Sequence, residues 1–146
     1  MVNCEWESYR RNYRYQPPDN HKTYTMFLQL NHQKLEVYKV SRQFVFECYK
    51  LTKSLPPDER FGMISQIRRA ALSVHLNVAE GASRKSENER KRYYEIARGS
   101  VIEIDAALDI ANNLEYLKAI DTTSLGKAMI DCFRLLTGMI KSGSKN

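Results

Sequence analysis

Beyond residue 33, apolar side chains return every three or four positions, the spacing that lays one stripe along a helix. Val37, Val40, Phe44, Cys48, Leu51 and Leu55 form the first stripe and predict a helix over about 34–55, stopped by Pro56-Pro57. Asp58 then stands as the N-cap of a second helix over about 62–81, with Ile64, Ile67, Ala71, Val74 and Val78 inward and Gly81 at its C-terminal cap. Ser86-Glu87-Asn88-Glu89 has the spacing of a capping box, in which the serine accepts from the third helical N–H and the glutamate reaches back. It opens a third helix, expected to run to about Leu117 with Tyr93, Ala97, Ser100, Ile104, Leu108 and Ala111 facing the core. Asp121-Thr122-Thr123-Ser124 supplies caps for a fourth, carrying Leu125, Met129, Cys132, Leu136 and Met139, with Gly143 and a polar tail behind it.

Four amphipathic helices with short connections and no strand-like alternation predict an all-α protein, an antiparallel up-down-up-down four-helix bundle over residues 32–146. Residues 1–31 differ. Aromatic and polar residues alternate irregularly there, Pro17-Pro18-Asp19-Asn20 interrupts them, and a poorly ordered N-terminal extension is expected. Met26 stands just before the periodic pattern as an alternative translation start.

The second helix carries more than its core stripe. Leu72 and Leu76 point roughly away from Ile67, Ala71, Val74 and Val78. Two stacked leucines there are read as an oligomer interface, against the alternative that this helix is simply more buried than its neighbours. A third strip of small or polar residues, Gln66, Ala70, Ser73, Asn77, Glu80 and Arg84, suits a hydrogen-bond network fixing helix register, or a solvated edge.

Composition narrows the function classes. No apolar run approaches the ~20 residues that span a bilayer, and residues 1–14 hold no apolar signal region, so a cytoplasmic protein without membrane contact is expected. Cys4, Cys48 and Cys132 are odd in number and far apart, arguing against a disulfide framework or zinc site. The bundle-type di-iron motif Glu-x-x-His is missing, and His21, His32 and His75 are scattered, so neither metal nor cofactor is expected. No Gly-rich phosphate loop occurs, and Cys48 and Cys132 sit on core stripes, so the chain is read as not an enzyme.

The net charge of +6 permits phosphate-rich partners. Its sharpest concentration flanks the predicted start of the third helix, where Arg84, Lys85, Arg90, Lys91 and Arg92 outnumber Glu87 and Glu89. Helix N-termini carry partial positive charge, so cations there make sense when an external anion such as a nucleic-acid phosphate supplies the balance, a merely solvated basic turn being the other reading. Arg68 and Arg69 are added to this candidate nucleic-acid-binding set, a structural ion pair being their other reading.

Some of these residues also carry a resemblance. Ser65-Gln66-Ile67-Arg68-Arg69-Ala70-Ala71 followed by Asn77-Val78-Ala79-Glu80-Gly81 resembles the signature of the four-helix-bundle proteins encoded in intervening sequences of bacterial 23S rRNA genes. Leu35-Glu36-Val37-Tyr38, Glu59-Arg60-Phe61-Gly62 and the stretch from Ala97 to Glu103 look like the same family, over about residues 34–141. His75 departs from it, since family members often carry a proline in that stretch. The family includes accessory variability proteins of diversity-generating retroelements, which form pentameric barrels and contact a reverse transcriptase and nucleic acid. The resemblance therefore implies a homo-oligomer, a pentamer in the first instance, with RNA, DNA or a reverse transcriptase as partner and a non-enzymatic role. A protein-only adaptor, its charge serving solubility, is the competing expectation.

Overall fold

The apolar stripes become four helices: α1 (Glu36–Thr52), α2 (Met63–Ser83), α3 (Glu87–Asn113) and α4 (Thr123–Ser142). Single 3-10 turns at Asn31–Lys34 and Pro57–Arg60 precede the first two. The computed structural model describes residue 28 and residues 30–142, and among them there is no strand. The expected N-terminal extension, apart from Leu28, Leu30 and Asn31, and the Gly143 terminus lie outside the described residues.

Each helix packs against two others, α2 on α1 and α3, and α4 on α1 and α3. Side-chain pairs give the directions. Ser41 meets His75 and Thr52 meets Arg68, so α1 and α2 run antiparallel; Ser73 meets Ser100 and Arg84 meets Tyr93, so α2 and α3 do too. The result is the expected up-down-up-down bundle, closed around Phe44, Cys48, Ile67, Val74, Val78, Ile104, Cys132 and Leu136. Burial pushes the Cys48 thiol up to about 12, with Cys132 and Glu47 adding to it, and does the same to Cys132, so both behave as core residues.

Several details correct the sequence reading. In α3 the inward tyrosine is Tyr94, because Tyr93 is rotated by ~100° toward α2. The α4 stripe is Leu125, Ala128, Cys132, Leu136 and Ile140, with Met129 and Met139 half-buried beside it. Asp58 does not cap α2. The Glu59 carboxylate accepts from the Met63 N–H (3.1 Å) and from the Tyr116 hydroxyl (3.3 Å), tying the start of α2 to the chain beyond α3. Ser86 holds the N-cap position of α3 but makes no side-chain capping hydrogen bond, so the capping box does not close. α3 stops at Asn113 rather than Leu117, because Glu115 turns to φ 61°. The Glu115 and Tyr116 amides then donate to the carbonyls of Asn112 and Ala111, both at 2.9 Å, in a Schellman arrangement.

Gly81 is no cap either. It lies buried inside α2, and a Cβ there would stand 2.9 Å from the Tyr94 ring and 3.0 Å from the Tyr93 Cβ. Only a glycine lets the α2 backbone approach α3 this closely. Gly81→Ala must push the two helices apart and is expected to cost about 1–3 kcal/mol. Gly99→Ala, where nothing lies within 4 Å of the added methyl, should stabilise by about 0.5–1 kcal/mol. Urea denaturation of the two variants checks the opposite signs.

On the other side of α2, the buried Ser41 hydroxyl donates to the Tyr38 carbonyl (3.0 Å) and accepts from His75 Nδ1 (2.8 Å). Burial, then the charges of Arg42 and His32, hold the His75 pKa below its ordinary 6.5. A base depressed in this way contributes stability that is fully present above pH 6.5 and is lost as pH falls through that value toward the folded pKa. Thermal midpoints measured across this range should fall for the native chain and flatten for His75→Gln.

Candidate nucleic-acid interface

The basic turn between α2 and α3 is built from two inward guanidinium groups and several outward cations. Arg84 pairs with Glu80 one turn back on α2, donates to the Tyr93 hydroxyl (3.1 Å) and lies 5.1 Å from the Tyr93 ring centroid. Arg90 Nη1 reaches back to the carbonyls of Arg84 (3.1 Å) and Lys85 (2.9 Å). These two arginines therefore bind the turn together across the helix junction. Lys85 and Arg92 stay exposed, and Lys91 is half-buried at a cleft of about 200 Å³ lined also by Glu87, Arg90, Tyr94, Met139 and Ser142.

Arg68 and Arg69 do not join this turn. They sit near the other end of α2, 15–16 residues from Arg84, or ~24 Å along the axis. Arg68 turns to α1 instead, where its Nε donates to Thr52 Oγ1 (2.8 Å) and its guanidinium stands over the Tyr49 ring at 5.1 Å. Arg69 is exposed and donates to the Gln66 side chain (3.1 Å).

The polar strip divides along its length. Gln66 holds only Arg69, whereas Ser73 Oγ meets Ser100 Oγ across the α2–α3 contact at 2.9 Å and the Asn77 amide donates to the Ser73 carbonyl (2.8 Å). Glu80, Arg84 and Tyr93 form a second polar group farther along the same strip, at the basic turn.

Leu72 and Leu76 are 42% and 62% exposed on the outer side of α2, and Phe46 is exposed on the outer side of neighbouring α1. A second apolar face was not legible from the stripes. Ile102 lies two residues beyond Ser100, turned from α2, and Phe133 lies two beyond Asp131, turned from α1; Ile130 adjoins it, all three exposed. Their apolar type off the core stripe was the available signal, but it needed the identity of each helix's neighbours.

Among the described residues no group of three or more His, Cys, Asp or Glu could hold a metal ion, and no helix is long and apolar enough to cross a membrane. What the fold presents is a helical bundle whose distinctive features are surfaces: one basic junction and two apolar faces. The chain belongs to the 23S rRNA-intervening sequence protein family, whose model matches residues 33–138. No curated protein matches it.

The two kinds of cation at the turn separate on mutation. Arg90→Gln, which removes both carbonyl contacts, should lower stability by about 1 kcal/mol. Lys85→Gln and Arg92→Gln should leave it within about 0.5 kcal/mol, as chemical denaturation would show.

Proposed function

We propose that this protein is a non-enzymatic, homo-oligomeric scaffold of the cytoplasm that binds nucleic acid, or a ribonucleoprotein, through the basic turn at the α2–α3 junction. The observation that carries the reading is the division of labour there: Arg84 and Arg90 fasten the junction, which leaves Lys85 and Arg92 presented outward beside the N-terminus of α3. Backbone N–H groups at such a terminus favour phosphate, and the neighbouring cations add to that field.

The two apolar faces support the oligomer. The α1–α2 pair and the α3–α4 pair occupy opposite sides of the bundle, so one copy's Leu72 and Leu76 can meet the next copy's Ile102, Ile130 and Phe133. Contacts between unlike faces run head to tail and close into a ring when the rotation permits. A pentamer is the ring proposed, repeating the basic turn five times around it. A reverse transcriptase carrying its RNA is one ribonucleoprotein that such a display would suit.

Fluorescence anisotropy of the full chain with RNA and DNA oligonucleotides, taken through a salt series, tests the reading alongside light scattering. Binding should weaken steeply with salt, and for duplex each of Lys85→Gln and Arg92→Gln that removes a phosphate contact should reduce the log–log slope by about 0.9. The scattering mass should be a multiple of 17.0 kDa. Salt-insensitive or missing nucleic-acid binding by an assembled, folded protein would favour the protein-only adaptor instead.

A further inference from the structure

We infer that the cleft between the first turns of α3 and the last turn of α4 takes one guanine base, unstacked from a single strand whose phosphates lie on the neighbouring basic turn. Tyr94 is the observation that points there. Its ring lies against Gly81 and only 5% of the residue is exposed, yet its hydroxyl makes no hydrogen bond with any described residue. That hydroxyl is not sealed in the core either. Tyr94 lines the cleft, and the cleft is where its polar tip meets solvent. A buried phenol ordinarily finds a hydrogen-bond partner, so one left open at the floor of a cleft marks a place for a ligand's acceptor. Burial, opposed in part by the Arg90 charge, raises the Tyr94 pKa above its ordinary 10, so the group keeps its proton and donates throughout the neutral range.

The other lining groups select the ligand. A space of about 200 Å³ holds one base but not a stacked pair. Glu87 puts an acceptor-only carboxylate on the rim, so a phosphate in the cleft itself would meet like charge. Two adjacent N–H groups suit that carboxylate best. Among the bases, guanine alone presents such a pair, N1–H and N2–H, beside an acceptor, O6, on the pairing edge by which unstacked bases are read. The pair matches Glu87 and O6 matches the Tyr94 hydroxyl. Arg90 adds to the donor side, since its guanidinium has N–H groups beyond those that hold the turn carbonyls. Met139 supplies a thioether for the ring. Adenine and cytosine set an acceptor where the carboxylate needs a second donor, and uracil has a single N–H. The strand's part in this inference rests on the nucleic-acid reading proposed above; the guanine site itself does not, because a free mononucleotide carries the same edge.

Calorimetric titration of the full chain with GMP, AMP, CMP and UMP tests the site, and anisotropy with short oligouridine strands carrying one central G or A tests its use by a strand. GMP should bind about tenfold more tightly than the other three, and the G strand about tenfold more tightly than the A strand. Tyr94→Phe removes only the unpartnered hydroxyl, and Glu87→Gln lies at an exposed position. Each should bring both ratios close to one, with the circular dichroism and the salt slope of strand binding unchanged. Equal binding in both arms, still salt-dependent and weakened by Lys85→Gln and Arg92→Gln, would overturn the guanine site and leave the basic turn standing. A GMP preference lost in both variants, with no strand binding at low salt, would uphold the site and overturn the nucleic-acid reading. A preference confined to the mononucleotides while strands still bind would uphold the site and overturn its use by a strand. A guanine preference that survives both substitutions would put recognition elsewhere and overturn the site.

Discussion

The close approach of α2 and α3 at Gly81 is the constraint on which the rest of the molecule depends. Because the α2 backbone comes to within van der Waals contact of Tyr93 and Tyr94, one ring enters the core and the other stays at the surface. The surface ring then receives Arg84, and the turn that follows is short enough for Arg90 to reach back to its carbonyls. Ser73 and Ser100 repeat the contact farther along the same interface with small polar side chains. Packing density, hydrogen bonding and the placement of charge thus share one origin, a pair of helices set closer than larger residues would permit.

α2 can serve as this hub because its faces differ in chemistry. The aliphatic stripe fills the centre, Arg68 and His75 bond to α1, and the polar strip bonds to α3. Only the outer side, with Leu72 and Leu76, is left without a described partner within the chain. An apolar strip on the water side of a helix that is otherwise matched so fully to its neighbours is the reason to look for an occupant from another molecule.

Periodicity made the four helices and nearly all of the core legible, because burial of a stripe is decided by spacing alone. Features decided by contact between helices were not. Tyr93 and Tyr94 are the same residue type one position apart, and only the approach at Gly81 decides which is inward. The pattern Ser86 to Glu89 has the spacing of a capping box, but spacing does not form the hydrogen bond. Glu115 has no glycine to announce its left-handed turn. The basic turn was visible as a run of cations, yet the sequence could not separate Arg84 and Arg90, which hold structure, from Lys85 and Arg92, which face solvent. Nor could it show that Arg68 is turned to Thr52 at the far end of the helix. The apolar face of Ile102, Ile130 and Phe133 required knowing which sides of α3 and α4 have neighbours.

The nucleic-acid surface proposed for this family member lies at the junction that Gly81 makes possible. Backbone amide shifts recorded while an RNA oligonucleotide is titrated into the labelled full-length protein test that placement directly. Binding there predicts progressive shifts confined to residues 83–92 and the adjoining C-terminal turn of α4. Shifts centred on Arg68 and Arg69, or a spectrum left unchanged by RNA at low salt, would contradict it.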